Sequence, residues 1–345
     1  MSGDQPLIWV LEGERAGDNA QARELAARVG GRIESRRLRY RHRLRKVRNF
    51  LLGASLVTLD REASDPLAAP WPDLVIGVGR RSVPVARWIR KQSGGATRLV
   101  QIGRPRARLD LFDLIITTPQ YGLPAAPNVI ELALPITPQP PASVAEDEGW
   151  RDMLALLPEP KIAVLVGGPM KPLMMGQAEI AKLARDASAL AQRLGGSLII
   201  IGSPRTPAGL VESMAAELTV PHRVFPWTKG APNPYRPMLR IAHQFIVTSD
   251  SVLMLTEALG TGKPVDVFRL PAEKRRRLPL RRWPFSTLVR MGLLSTKRNV
   301  DAFIVRLAAA GHVGVVGVEA RGRNRLSRDD DRAVARIKAL LLHHE

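Results

Sequence analysis

The chain contains no cysteine, which excludes disulfides, thiolate nucleophiles and Cys-ligated metal and gives no sign of an oxidising compartment. Long apolar runs are missing too. The longest, Phe50 to Leu59, is about half the roughly 20 residues needed to span a bilayer. The N-terminus, MSGDQPLIWVLEGERAGDN, has no basic n-region and reaches acidic residues directly after one short apolar segment, so it does not read as an export signal. A cytoplasmic protein without a spanning helix is the expectation. Histidines number six and lack ligand spacing, so no zinc site is expected.

Acidic residues are also scarce, 32 against 52 Lys and Arg, and the resulting net charge of +20 is unevenly placed. Arg36 to Arg48 carries eight basic residues and no acid; Lys274 to Arg290 carries seven and no acid. In the first window Tyr40, Leu44, Val47 and Leu51 recur at helical spacing, which predicts an amphipathic helix with an arginine-rich face. The second interleaves arginines with Trp283, Phe285 and leucines. Such clusters suit an anionic membrane surface, where each basic residue contributes on the order of 1 kcal/mol and apolar side chains anchor in the interface. The candidate membrane contacts are Arg41, Arg43, Arg45, Lys46, Arg281, Arg282, Trp283 and Phe285. A solvated face over core leucines accounts for the same pattern. Nucleic acid ranks behind both, because no nucleic-acid fold signature accompanies the charge.

At 345 residues the chain is long enough for two domains, each with its own core. Strand and helix signals alternate throughout. Strands are expected at Leu7 to Leu11, Asp73 to Val78, Arg98 to Ile102, Leu114 to Thr117 and Asn128 to Leu132, with helices from about Ala20 to Val29 and after Arg80. The stretch Thr137 to Trp150 is a linker by its Pro, Ala and acid content. Beyond it strands recur at Ile162 to Val166, Ser197 to Ile201, Arg223 to Phe225, Phe245 to Val247 and Val265 to Phe268. This predicts an α/β fold of two doubly wound parallel-sheet, Rossmann-like domains facing a cleft. The boundaries are 1–136, a linker 137–157, a second domain 158–272, and a basic segment with C-terminal helices over 273–345.

The stretch His243 to Val265 is the most informative. Its strand runs into Thr248-Ser249-Asp250-Ser251 at a helix start, with Glu257 one to two turns inside and an exit through Gly260-x-Gly262-Lys263. Unpaired amides and the positive end of a helix dipole there make a seat for phosphate, and Glu257 is placed to reach ribose hydroxyls. Simple helix capping accounts for the same hydroxyl residues. Gly167-Gly168 would let backbone N–H groups approach an anion, or be a plain βα turn. Ser203-Pro204-Arg205-Thr206 sets one arginine among hydroxyls, and Asn233-Pro234-Tyr235 either joins the site or starts a helix.

Taken in order, GGP, SPRTP, NPY and TSDSVLMLTEALGTGKPV resemble the C-terminal half of the family of plant mitochondrial-fission Elm proteins and their bacterial homologues, a group that looks like GT-B glycosyltransferases. GDNAQARELAARVG, PDLVIGVGR, VQIGRPR, FDLIITTPQYG and NVIEL carry the resemblance through the first half, over roughly residues 7 to 270. The family usually has His-Asp where this chain has Gln120-Tyr121, and a second arginine where this chain has Pro204. A role resting on that histidine does not carry over.

The resemblance implies a nucleotide-sugar donor on the second domain, an acceptor on the first, and no metal or cofactor. No DxD pair stands on a strand-end loop, and Asp329-Asp330-Asp331 is expected to start the last helix. In this reading the amides of Ser249, Asp250 and Ser251 hold diphosphate, Glu257 holds ribose, and Arg205 and Lys263 neutralise the departing charge. Asp18 is the candidate general base, or else caps a helix at Ala20. The expected protein is a membrane-associated glycosyltransferase on the inner, cytoplasmic face, using a lipid-linked or lipopolysaccharide-type acceptor. A non-catalytic nucleotide-binding scaffold and a nucleotide-sugar epimerase are the alternatives.

Overall fold

The computed structural model describes residues 5–44, 47–138, 144–272, 285–318 and 329–342. Along the chain come β1 (Leu7–Glu12), α1 (Ala16–Val29), β2 (Arg32–Arg37), β3 (Arg39–Tyr40), α2 (Asn49–Leu52), β4 (Leu59–Asp60), β5 (Leu74–Val78), α3 (Ser82–Gln92), β6 (Arg98–Ile102), β7 (Leu114–Thr117) and β8 (Val129–Glu131). Then follow α4 (Val144–Met153), β9 (Lys161–Leu165), α5 (Gln177–Leu194), β10 (Ser197–Ile201), α6 (Leu210–Ala215), β11 (His222–Phe225), α7 (Tyr235–Ile241), β12 (Gln244–Thr248), α8 (Val252–Gly260) and β13 (Val265–Phe268). The last elements are α9 (Phe285–Arg290), α10 (Val300–Ala309), β14 (Gly314–Val315) and α11 (Asp331–Leu342).

The chain divides into two compact units. The first holds residues up to 138 together with α9, the segment to Asn299, and α11; the second holds the middle of the chain with α10 and β14. The C-terminal part read from sequence as one block, 273–345, is thus shared between them. Each unit has a six-stranded parallel sheet, in the orders β2-β1-β5-β6-β7-β8 and β11-β10-β9-β12-β13-β14. The two doubly wound α/β sheets expected from the sequence are present.

In unit 1 the strands are buried on both sides, and alternate residues serve opposite cores. Leu7, Trp9, Leu11 and Val75 face α3 through Val83, Val85 and Ile89. Ile8, Val10, Leu74 and Ile76 face Leu25 of α1 and Ile337 of α11. Arg28 ties the two helices through its ion pair with Asp330. In unit 2, Ile162, Val164, Ile200 and Ile246 pack against Leu183 and Ala187 of α5.

Three local expectations are corrected. The segment Arg32–Arg37, where no strand is expected from the sequence, is an edge strand paired parallel to β1 although its sequence, RIESRR, has a single apolar residue; Arg36 packs over the Trp9 ring while Arg32 and Arg37 stay in water, where charge blunts an exposed edge. Among the described residues the continuous amphipathic helix expected through Tyr40, Leu44, Val47 and Leu51 is replaced by a strand, a single 3-10 turn at His42–Leu44 and a separate short helix. Leu38 and Tyr40 alternate inward with strand period, Tyr40 pairs with Leu59 across β3 and β4, and a new short helix begins only at Asn49, whose side chain donates to the carbonyls of Arg80 and Pro105. The linker 137–157 contains α4, held to α7 by a buried fork in which Arg240 Nε and Nη2 donate to Asp147. That guanidinium holds the Asp147 carboxyl below the usual range.

Candidate functional site

Each sheet reverses its direction of growth once, between β9 and β12 in unit 2 and between β1 and β5 in unit 1. In open α/β sheets the crevice outside the strand C-termini at that reversal is where ligands bind. Both reversals coincide with residues singled out in the sequence.

In unit 2 the loops after β9 and β12 meet through Asp250. Its carboxylate is fully buried and accepts from the Gly168 amide at 2.9 Å, from Thr248 Oγ1 at 2.7 Å and from Arg205 Nη2 at 2.8 Å. Gly167 donates to Thr248 Oγ1. The anion facing the two glycines is therefore the protein's own, which corrects the expectation that Gly167 and Gly168 offer their amides to a ligand. Both must be glycine for a packing reason: a Cβ on Gly167 would lie inside the Asp250 carboxylate, and one on Gly168 inside the Arg205 backbone. Ser203 and Thr206 close a turn on each other, and Thr206 Oγ1 donates to the carbonyls of Val166 and Gly167. Of this loop only Arg205, nearly half exposed, keeps N–H groups toward solvent.

Two of the three amides expected to hold diphosphate, those of Ser249 and Ser251, are already occupied. Ser249 N–H bonds to Phe268 across the sheet and Ser251 N–H to the Thr248 carbonyl, so neither amide is available. Ser251 Oγ caps α8 by accepting from Met254 N–H. Among the described residues the amides of Val252 and Leu253 have no intrachain acceptor, and these carry the positive end of α8. Farther along the same helix the structure brings two candidates together: Tyr235 donates its hydroxyl proton to Glu257 Oε2. Burial raises the Glu257 carboxyl, with Tyr235 and Arg236 opposing, and burial together with that carboxylate raises the Tyr235 phenol well above its ordinary range. Asn233 Oδ1 accepts from Tyr235 N–H, so it starts α7. Lys263 is not part of the site. It follows the C-terminus of α8, at the opposite end of the sheet, where its ammonium donates to the Arg240 and Leu239 carbonyls that end α7.

In unit 1, α1 begins at Ala16 rather than Ala20, which places Asp18 in its first turn with its carboxyl raised by burial and drawn down by Arg15 and Arg298. Arg298 was not singled out in the sequence. Its Nε donates to Gln120 Oε1 at 2.6 Å, and its guanidinium lies 5.9 Å from the centre of the Tyr121 ring, which Arg104 also faces at 6.0 Å. Gln120-Tyr121, a departure from the family pattern, therefore has a built environment; Arg104 stands inside the VQIGRPR motif that signals it.

Of the candidate membrane contacts, Arg41, Arg43 and Phe285 are exposed, while Arg45, Lys46, Arg281, Arg282 and Trp283 lie outside the described residues. Phe50, Leu51 and Val57 are exposed on the same unit as Arg41, and Val57 and Arg41, with Arg61 and Trp88, line an open groove of about 510 Å³. Among the described residues no helix is long and apolar enough to cross a membrane, and no group of three His, Asp or Glu stands where a metal ion could be held.

A family model described as mitochondrial fission ELM1 matches residues 16–281. The mitochondrial fission protein ELM1 of Arabidopsis thaliana is 32% identical over 219 residues, covering 57% of this chain and 51% of that protein, so the chain spans about half the length of that relative. An uncharacterized protein of Rickettsia prowazekii is 28% identical over 298 residues, 76% of this chain and 83% of the relative. Among solved structures, the UDP-GlcNAc 2-epimerase of Methanocaldococcus jannaschii shares the fold, with a TM-score of 0.51, 10% identity and coverage of 98% of this chain and 99% of that one.

Proposed function

The chain belongs to the mitochondrial fission ELM1 family, and from that premise we propose that it is a glycosyltransferase that moves a sugar from a nucleoside-diphosphate sugar to a lipid-linked or lipopolysaccharide-type acceptor. The observation that carries the reading is the Tyr235–Glu257 pair, set along a helix whose first-turn amides at Val252 and Leu253 have no intrachain acceptor. A carboxylate fixed by one hydroxyl keeps its second oxygen for ribose, and the helix start receives the diphosphate.

In the reaction the acceptor oxygen forms a bond to the anomeric carbon while the bond from that carbon to the diphosphate oxygen breaks. The acceptor proton passes to the Asp18 carboxylate, and the charge leaving on the nucleoside diphosphate is met by the α8 amides and Arg205. No metal or cofactor takes part in this reading. The exposed Arg41, Arg43, Phe50 and Leu51 support attachment of unit 1 to an anionic membrane face, which we assign to the cytoplasmic side.

The test is incubation of the full chain with nucleotide sugars, with and without phospholipid-linked acceptor, following nucleoside diphosphate release and the sugar recovered in the lipid phase. Acceptor-dependent release that survives a chelator and is abolished in Asp18→Asn is expected. An isomerised nucleotide sugar formed without acceptor makes the protein an epimerase; affinity without consumption makes it a binding protein.

A further inference from the structure

At the ends of β6 and β7 in unit 1, two guanidinium groups are gathered around one aromatic ring. Gly103 turns the chain out of β6 at φ +80°, and the Tyr121 ring lies against it at van der Waals distance from where a Cβ would stand. Arg104 follows directly and faces that ring. Arg298 faces it as well, held there because Arg298 Nε donates to the Gln120 side chain and Asn299 N–H to the Gln120 carbonyl. Arg106 adds a third cation from a left-handed conformation, φ +53°, the sole non-glycine residue so placed among the described residues, at a cost of roughly 1 kcal/mol.

Arg104 is a cation in this group that lacks an ion-pair partner among the described residues. Arg104 is half-buried, yet among the described residues it has no hydrogen-bond acceptor and no carboxylate partner, although a guanidinium carries five N–H donors. Burial, then Arg106, then Arg298 press its pKa down to about 10, with Tyr121 opposing. Burying a cation beside other cations costs free energy unless an anion arrives. Two forks fixed over one ring suit the planar, multidentate recognition of a phosphate oxygen set.

We propose that Arg104 and Arg298, which face Tyr121, bind a phosphate ester group with the help of the neighbouring Arg106. Calling that group part of the acceptor rests on the glycosyltransferase reading; the anion site itself does not.

The experiment is calorimetric titration of the full chain with glycerol 3-phosphate under saturating nucleoside diphosphate, which occupies any site in unit 2. Arg104→Gln and Arg298→Gln are expected to weaken binding about tenfold or more each, with Arg104→Lys in between because it keeps charge and loses the fork. Lys182→Gln, at an exposed position of unit 2, should leave this titration unchanged. Repeating it with phosphatidylcholine vesicles, with and without phosphatidic acid, assigns the ester to a lipid or to a soluble ligand by which probe depends more on Arg104. Wild-type affinity for glycerol 3-phosphate in both Arg104→Gln and Arg298→Gln, or an equal loss in Lys182→Gln, overturns the site. Should no nucleoside diphosphate bind while Arg104→Gln still loses the phosphate ester, the donor reading fails and the anion site stands.

Discussion

Unit 2 and unit 1 treat charge at their strand-end loops in opposite ways. Between β9 and β12, the anion that meets the loop amides is built in: the Asp250 carboxylate collects Gly168 N–H, Thr248 Oγ1 and Arg205. Beside β6 and β7, Arg104 and Arg298 face Tyr121 with Arg106 close enough for Arg104 to feel its charge, and Arg104 has no carboxylate partner among the described residues. A loop that carries its own counter-charge is rigid before any ligand arrives. One that gathers like charges is completed by something else. The glycines of unit 2 are thus structural in origin, while the arginines of unit 1 are hard to explain by folding alone.

The most severe way to probe the contrast is Asp250→Ala, which strands a buried amide, a buried hydroxyl and a guanidinium at once. Loss of about 3–5 kcal/mol is expected in denaturant unfolding, since one member of a buried ionic network is removed. Gly167→Ala should approach it, because the new methyl and the carboxylate claim the same space. A loss under about 1 kcal/mol for Asp250→Ala, the ordinary size for a point substitution, would mean that the loop is not self-satisfied.

Next in size is Glu257, the carboxylate of unit 2 proposed to hold ribose. Glu257→Ala should weaken nucleoside diphosphate binding by about 1–3 kcal/mol, the cost of a lost hydrogen bond to a charged group. Burial raises the Glu257 pKa in the folded chain, so the stability this group takes away appears as pH rises from the ordinary carboxylate range through the raised value. Ribose hydroxyls bind the ionised form, and affinity should therefore increase with pH over the same window. Glu257→Gln should flatten that profile; an identical slope in both proteins removes Glu257 from the ribose contact.

What the sequence made legible was set by where hydrogen bonds and burial are local. Strands β1, β9, β10 and β12 show as apolar runs because a parallel sheet is covered on both faces. β2 hides behind RIESRR because an edge strand keeps Arg32 and Arg37 in water. The Tyr235–Glu257 pair could be named residue by residue, yet only the fold joins them across 22 positions. The roles given to the amides of Gly167, Gly168, Ser249 and Ser251 failed because a sequence does not say which acceptor already occupies an N–H. Arg298 escaped notice because its partner Gln120 is 178 residues away.

A smaller effect separates the two ends of the unit 2 sheet. Lys263→Met should cost roughly 0.5–1 kcal/mol of stability by removing the cation that bonds the last carbonyls of α7. Burial lowers the Lys263 pKa, so the charged ammonium is disfavoured in the folded chain and stability should rise slightly as pH climbs from that lowered value to the value of an exposed lysine. Nucleoside diphosphate affinity should not change. A tenfold loss of affinity at unaltered stability would return Lys263 to the binding site.

The smallest expected change is the stability of Arg104→Gln, and it bears most directly on the contrast between the units. A guanidinium with no hydrogen-bond acceptor or ion pair among the described residues contributes little to folding, and its removal relieves repulsion with Arg106 and Arg298. Unfolding free energy should stay within about 0.5 kcal/mol of wild type, or rise slightly. The same substitution should erase a ligand effect. Wild type should melt higher in phosphate than in chloride at equal ionic strength, because an anion bound only by the folded chain adds stability as its concentration exceeds its dissociation constant. With saturating nucleoside diphosphate in both buffers to occupy any site in unit 2, Arg104→Gln should melt alike in both salts. A marked stability loss in Arg104→Gln, with no phosphate shift in wild type, would make the arginine corner a structural element like the Asp250 loop and dissolve the difference between the two units.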